Sequence, residues 1–113
     1  MTRIYKLVSR GEWEAAKASG AFHGAAVDLA DGYIHFSTGA QAAETARKYF
    51  AGLGDILIVG FEAETLGHGL KWEPSRGGDL FPHLYGPLDP SLAVEERDAP
   101  LGQDGHIQLG ALS

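Results

Sequence analysis

A histidine stands inside a stretch that otherwise has the pattern of a β-strand. The stretch is DGYIHFST at residues 31–38, with His35 near its centre. Because side chains alternate between the two faces of a strand, Tyr33, His35 and Ser37 share one face. Histidine exchanges protons near neutral pH, and tyrosine stacks on flat ligands or hydrogen-bonds to them. This face is therefore a candidate for acid-base chemistry on a small ligand.

A second stretch, FPHLY at residues 81–85, repeats the combination, with Phe81, His83 and Tyr85 on one face. If the two strands are neighbours, their histidines and tyrosines line one cleft. The alternative is that each histidine is a satisfied structural residue, which is the commoner role of a single histidine in a strand. We predict that His35 and His83 are the catalytic residues. We also predict that Tyr85 and the tyrosine of the first stretch bind the ligand.

The helix predicted after His35 adds an anion-binding hypothesis. Thr38 and Gln41 have the T-x-x-Q pattern of a capping box, which starts a helix. The free N–H groups and the positive dipole end at that terminus could bind a phosphate or pyrophosphate, with Ser37 beside it. Helix capping alone is the alternative role of Thr38. Both Ser37 and Thr38 are predicted ligand-binding residues.

The loop PSRGGD at residues 74–79 contains a further candidate, Arg76. Gly77 and Gly78 permit a close approach of the backbone to a ligand, and an arginine there could hold a phosphate through two hydrogen bonds. The same residues are also typical of any exposed turn. Glu73 could pair with Arg76 or act as a base, and the sequence does not choose between these roles.

A zinc site is the competing interpretation of the histidines, because His23, His35, His83 and Glu73 are ligand types that zinc uses. The spacings HxH, HxxxH and HExxH do not occur, so we predict no metal. The sequence also has no G-x-S-x-G motif, no P-loop and no dinucleotide-binding glycine fingerprint.

Composition limits the class of protein. The 113 residues fit one domain, residues 1–113, and are enough to bury a core without disulfides. Disulfides are excluded because the sequence has no cysteine. The net charge is −6 and the nine basic residues are scattered, so binding to duplex nucleic acid is not expected. No stretch approaches the length of a membrane span, and the first residues do not resemble a signal peptide. We expect a soluble cytoplasmic protein, and a monomer is favoured.

Two helices and several strands must position these residues. Residues 3–8 alternate as a first strand, and Ser9 with Glu12 forms a capping box for a helix that ends at Gly20. The second helix follows Thr38 and ends at Gly52. Residues 21–30 are predicted to be irregular. The further strands are predicted at residues 33–36, 55–61, 70–72, 80–85, 92–97 and 105–109. This order predicts an α+β fold rather than a regular βαβ repeat.

Several blocks of the chain together resemble the bacterial family called domain of unknown function 952. They are IYKL at residues 4–7, Trp13, DGYIHFST at 31–38, Gln41 and WEPSRGGDLFPHLYGPL at 72–88. That family resembles a compact member of the ADP-ribosyltransferase superfamily, which holds NAD in a split β-sheet. The resemblance implies one domain in which two N-terminal helices pack on a split, mostly antiparallel sheet.

The resemblance also implies roles. Lys6 or Tyr5 matches the first-strand position that contacts the nicotinamide-side ribose or amide, and Lys6 is taken as the ligand-binding residue. His35 stands where many relatives have tyrosine, and His83 lies near the position of the usual glutamate. A branch that removes a 2′-phosphate from RNA with NAD is more tolerant of histidine. The expected ligand is NAD or a related small nucleotide, whose ADP-ribosyl group is cleaved or transferred. The alternative is a noncatalytic module that binds a small ligand or a partner in the same cleft.

Overall fold

The computed structural model describes residues 2–112, with the exception of the side chain of Arg76. Three α-helices are α1 (Arg10–Ser19), α2 (Ala26–Asp31) and α3 (Gly39–Tyr49). Seven strands are β1 (Arg3–Ser9), β2 (Ile34–His35), β3 (Ser37–Thr38), β4 (Ile56–Glu62), β5 (Leu70–Pro74), β6 (Leu80–Leu84) and β7 (Glu95–Ala99). Short 3₁₀ turns lie at Ala63–Gly69, Arg76–Gly78 and Pro90–Leu92. Within the described residues, no helix has the length and apolar character needed to cross a bilayer.

The strands form two antiparallel sheets. The four-stranded sheet has the order β3-β1-β4-β7, and the three-stranded sheet has the order β2-β6-β5. The longest ladder joins β1 to β4 over seven residue pairs, and every residue of β4 is buried. The prediction of an α+β fold with antiparallel strands is therefore confirmed at this level.

Hydrophobic clusters cover both faces of the four-stranded sheet. Alternate residues of β1 point to opposite sides, so Ile4 and Val8 pack with Trp13 of α1, whereas Tyr5 packs in the second cluster, which includes Ala42 of α3. This double coverage makes β1 and β4 interior strands. A polar side chain in the middle of β1 must therefore find a partner inside the protein.

The two predicted helices start where their capping patterns place them. The Ser9 hydroxyl accepts a hydrogen bond from the Glu12 N–H, and Thr38 with Gln41 forms the reciprocal capping box. Gly20 ends α1 in the left-handed conformation, with φ of 91°. The end of α3 falls three residues before the predicted Gly52, because its last turn closes at Phe50.

The prediction of irregular structure over residues 21–30 holds as far as residue 25, apart from an isolated bridge at Phe22, and is wrong beyond it, because α2 lies there. Its N-cap residue is Ala25, which has no side-chain oxygen to advertise a helix start. The missing half of the cap comes from Asp28, whose Oδ2 accepts a hydrogen bond from the Ala25 N–H at 2.8 Å. Gly32, with φ of 89°, ends the helix.

Two of the late strands differ from the prediction. The strand expected at residues 92–97 lies at Glu95–Ala99, because Asp89 and Pro90 form a 3₁₀ turn in the preceding segment. Residues 105–109 form no strand of their own; an isolated bridge joins Leu101 to Ile107 there. Pro100 follows β7 directly and has no N–H with which to continue a ladder.

Candidate functional site

The two predicted catalytic histidines are direct cross-strand partners. The register of β2 against β6 places His35 opposite His83, and their ring centroids lie 5.6 Å apart at an interplanar angle of 69°. The two histidine-bearing strands are thus neighbours, which is the condition on which the hypothesis of a shared cleft depends. The catalytic roles of the two side chains remain predictions.

Tyr33 joins the two histidines into one group of rings. Its ring stacks on His83 with centroids 4.1 Å apart and an angle of 29°. It also lies 4.7 Å from the ring of His35 and 5.3 Å from that of Tyr85. We call these four side chains the ring cluster. Because Tyr33 contacts all three other members, its orientation fixes the shape of the group.

The ring cluster borders a cleft of about 530 Å³, a volume within the usual range of small-ligand sites. Of the predicted residues, Lys6, Tyr33, His35, Ser37 and His83 line it. Much of the remaining lining is apolar or aromatic and includes Leu7, Val27, Phe36, Tyr49, Phe50 and Phe81. A mainly apolar cleft with a few polar groups in its lining is the usual form of a small-molecule site.

Lys6 is the polar side chain inside β1, and its partner is Asp28. The Lys6 Nζ lies 3.0 Å from Oδ1 and 2.9 Å from Oδ2 of Asp28, and both side chains are buried. Burial lowers the pKa of Lys6, and the charge and hydrogen bond of Asp28 oppose that change. The pair is therefore a buried salt bridge, of which Lys6 lines the cleft.

Asp28 also holds His35. Its Oδ1 accepts hydrogen bonds from the backbone N–H of His35 at 3.0 Å and from Nδ1 of the ring at 2.6 Å. Burial acts to raise the pKa of the Asp28 carboxyl, but hydrogen bonds from His35 and the charge of Lys6 outweigh it and hold this pKa well below its usual range. On its other edge, Nε2 of His35 lies 2.9 Å from Oδ2 of Asp31.

A separate carboxylate holds His83. Nδ1 of His83 donates to Oε1 of Glu73 at 2.8 Å, and the Tyr85 hydroxyl donates to the same oxygen at 2.8 Å. These two hydrogen bonds lower the pKa of Glu73, and the bond to Glu73 raises the pKa of Tyr85. Glu73 is on β5, so all three strands of the smaller sheet contribute to the arrangement.

The Tyr33 hydroxyl remains a neutral phenol over the whole physiological range. Burial and the charges of Asp31 and Glu73 raise its pKa above the ordinary value. A neutral phenol can both donate and accept a hydrogen bond, and its ring presents an electron-rich face.

The other predicted ligand-binding residues have mixed positions. Ser37 lines the cleft but is buried, and its hydroxyl lies 2.9 Å from that of Thr45. Thr38 does not line the cleft; its hydroxyl accepts from the Gln41 N–H as a helix cap. Tyr85 belongs to the ring cluster but not to the cleft lining. The side chain of Arg76 lies outside the described residues, although Ser75 next to it borders the cleft.

Two acidic residues of the site were missed in the sequence, Asp28 and Asp31. Asp28 lies in α2, where irregular structure was expected, and Asp31 ends that helix, at the start of the stretch DGYIHFST. A signal was available in Lys6, because a lysine that alternates with Ile4 and Val8 on a buried strand needs a carboxylate partner. No cluster of three or more His, Asp or Glu side chains with the geometry of a metal site occurs within the described part of the chain.

Comparisons with known proteins give a family and a fold without an activity. Residues 7–96 match the family described as protein of unknown function (DUF952). The crystal structure of protein CC0527 from Caulobacter crescentus is 58% identical, covers 96% of each chain and superposes with a TM-score of 0.93. The solution structure of the same protein is 58% identical and superposes with a TM-score of 0.86, covering 97% of this chain and 95% of the other. No curated protein matches the chain.

Proposed function

This chain belongs to the DUF952 family, and we propose that it binds NAD or a related nucleotide in the cleft beside the ring cluster and cleaves or transfers its ADP-ribosyl group. The observation that carries the proposal is the convergence of Tyr33, His35 and His83 in the lining of a cleft of ligand size. Stacking surface for a flat ring and groups for proton transfer thus occupy one place.

The charges around the cleft favour a reaction that develops positive charge on the ligand. Asp31 and Glu12 line the cleft with carboxylates, whereas the Lys6 ammonium is paired with both oxygens of Asp28. Cleavage of a nicotinamide glycosidic bond starts from a cationic ring and passes through a cationic sugar. Fixed negative groups stabilise such a transition state.

The ligand groups follow from these positions. Tyr33 would stack on the nicotinamide ring, and Tyr85 would frame it from outside the cleft. His35 and His83 would orient ribose hydroxyls or move a proton. The pyrophosphate would bind at the N-terminus of α3 and at the loop of Arg76, whose neighbour Ser75 borders the cleft. The acceptor of the ADP-ribosyl group would be water, a protein side chain or an RNA 2′-phosphate.

Binding and turnover can be tested separately. Thermal unfolding of the purified protein with NAD, ADP-ribose and simple nucleotides at millimolar concentration should show a rise in Tm with NAD. Nicotinamide release from NAD is then followed by chromatography for the wild type, His35→Ala and His83→Ala. We expect both substitutions to lower release, and His68→Ala, which changes an exposed histidine outside the cleft, to leave it unchanged. The proposal fails if no nucleotide raises Tm, or if both cleft substitutions leave release unchanged.

One observation favours a second function, the noncatalytic binding of a small ligand. Both ring nitrogens of His35 contact carboxylates, an arrangement that suits a rigid wall better than a mobile proton carrier. A protein of this kind would show the rise in Tm with a nucleotide and would release no nicotinamide. The same two assays therefore distinguish the two functions.

A further inference from the structure

The two histidines of the cleft differ in the occupancy of their ring nitrogens. Nδ1 of His35 lies 2.6 Å from Asp28 and Nε2 lies 2.9 Å from Asp31. Both ring nitrogens thus lie against carboxylates, which only accept hydrogen bonds. His35 has no ring nitrogen without a protein partner, so it is poorly placed to exchange a proton with a ligand.

His83 has one nitrogen free. Its Nδ1 donates to Oε1 of Glu73 at 2.8 Å, which places the proton on Nδ1 and leaves the lone pair of the neutral ring on Nε2. Within the described residues, Nε2 has no hydrogen-bond partner. His83 borders the cleft although only 2% of the residue is exposed. A lone pair is thus held at the cleft with little access to bulk water.

Glu73 is itself held in place. The Tyr85 hydroxyl donates to the same oxygen that accepts from His83. In the register of β5 on β6, Lys71 lies opposite His83, and Glu73, two residues further along β5, points to the same face as Lys71. Tyr33 stacks on the ring of His83 with centroids 4.1 Å apart, which restrains the ring from turning. The imidazole is fixed at one edge and on one face.

We propose that His83 is the catalytic base of this protein, that Glu73 is the positioning residue that selects its tautomer, and that His35 is a fixed part of the cleft wall. This assignment rests on the proposed function. It divides the two histidines, which the sequence pattern treats alike, and it gives Glu73 a defined role.

When the acceptor is water, the reaction is the hydrolysis of NAD to ADP-ribose and nicotinamide. A water molecule in the cleft gives a proton to Nε2 of His83 while its oxygen forms a bond to C1′ of the nicotinamide ribose. The bond from C1′ to the nicotinamide nitrogen breaks, and its electron pair goes to that nitrogen. Nicotinamide leaves as a neutral molecule, ADP-ribose forms, and the proton on His83 passes to solvent.

Nitrogen-15 NMR of the histidine rings tests the assignment without any substrate. In the neutral His83 ring, we expect a protonated Nδ1 and an unprotonated Nε2. In Glu73→Gln the carboxylate that selects this tautomer is gone, so both tautomers should appear. Glu44→Gln, a substitution on the exposed face of α3, should keep the wild-type signals. A wild-type spectrum with a protonated Nε2 in the neutral ring of His83 overturns the proposal.

Kinetics test the division of the two histidines. Asparagine keeps an N–H near the position of Nδ1 but exchanges no proton, so His83→Asn should lower kcat for nicotinamide release by about 10²-fold or more. His35→Asn keeps the donor to Asp28 and should lower kcat by less than His83→Asn does, while Glu73→Gln should fall between the two with KM little changed. An equal loss of kcat in both asparagine variants overturns the division. If the wild type releases no nicotinamide, the proposed function and the base role fail together, and the NMR spectrum alone decides whether Glu73 selects the tautomer.

Discussion

The Lys6 Nζ lies 2.9 Å from Oδ2 of Asp28, and neither side chain is accessible to more than a trace of solvent. Removal of one partner from a buried ion pair leaves an uncompensated charge, which costs about 3–5 kcal/mol. Lys6→Met should therefore lower the free energy of unfolding by an amount in this range, as measured by urea denaturation. Lys48→Met removes an exposed lysine and should change the stability by less than about 0.5 kcal/mol. Equal effects of the two substitutions would contradict the importance of the buried pair.

Asp28→Asn should destabilise the protein more than Lys6→Met does. The carboxylate of Asp28 accepts from the N–H groups of Ala25 and His35 and from the His35 ring, in addition to its pairing with Lys6. The amide group of asparagine would place its own NH₂ donor against these N–H donors, so several of them would lose their hydrogen-bond acceptor. Comparison of the two variants by the same denaturation measurement checks the order. If Lys6→Met is the more harmful change, the hydrogen bonds of Asp28 are less important than the structure indicates.

Stability should fall with acidification, and Asp28 should account for part of the fall. The folded state holds the pKa of Asp28 below the ordinary value of 3.8, so the unfolded chain binds a proton more readily at this position. The stabilisation is complete well above that value and is lost progressively as the pH falls below about 5. Urea denaturation at several pH values between 7 and 3 should show that the free energy of unfolding changes less with pH in Asp28→Asn than in the wild type. Parallel slopes would show that Asp28 does not contribute.

A cationic ring should bind in the cleft better than its neutral counterpart. Asp31 supplies negative charge and Tyr33 supplies an electron-rich face in the lining of the cleft, and both contact His35. The cation 1-methylnicotinamide, which is methylated on the ring nitrogen, should therefore bind more tightly than neutral nicotinamide, by about 0.5–2 kcal/mol, in calorimetric titrations. Asp31→Asn should reduce the preference, while Asp104→Asn, which changes a distant turn, should leave it unaltered. Tighter binding of the neutral ring would contradict this account of the cleft.

The role of Thr38 can be separated from ligand binding. Its hydroxyl caps α3, so Thr38→Ala should lower the free energy of unfolding by about 1 kcal/mol. Thr38→Ser keeps the capping oxygen and should retain most of the stability. If Thr38 also binds the ligand through its methyl group or through the geometry of its hydroxyl, Thr38→Ser will lower the rise in Tm that NAD produces.

The parts of the fold that the sequence reveals are those with a local physical signal. The Ser9 and Thr38 caps, and the continuous apolar run of β4, each occur within a few residues and correspond to elements of the structure. Two similar patterns on separate strands suggested that His35 and His83 share a site if the strands are neighbours, and the structure makes them neighbours. Such patterns are informative because strand alternation decides which side chains share a face.

What the sequence did not reveal depends on contacts between distant residues. Helix α2 has no side-chain oxygen at its N-cap, and its apolar residues Val27 and Leu29 are exposed, so neither capping nor periodicity marks it. Asp28 was missed as a site residue because its partners lie 22 positions away at Lys6 and seven positions away at His35. Only tertiary packing brings them together.

Asp28 is bonded at once to Lys6, on a strand of the larger sheet, and to His35, on a strand of the smaller one. The candidate site is therefore formed at the contact between the two sheets, and neither sheet contains all of its residues. A fragment that contains only one sheet would therefore lack part of the site. The candidate activity should depend on the contact between the two sheets and should be lost whenever that contact is lost.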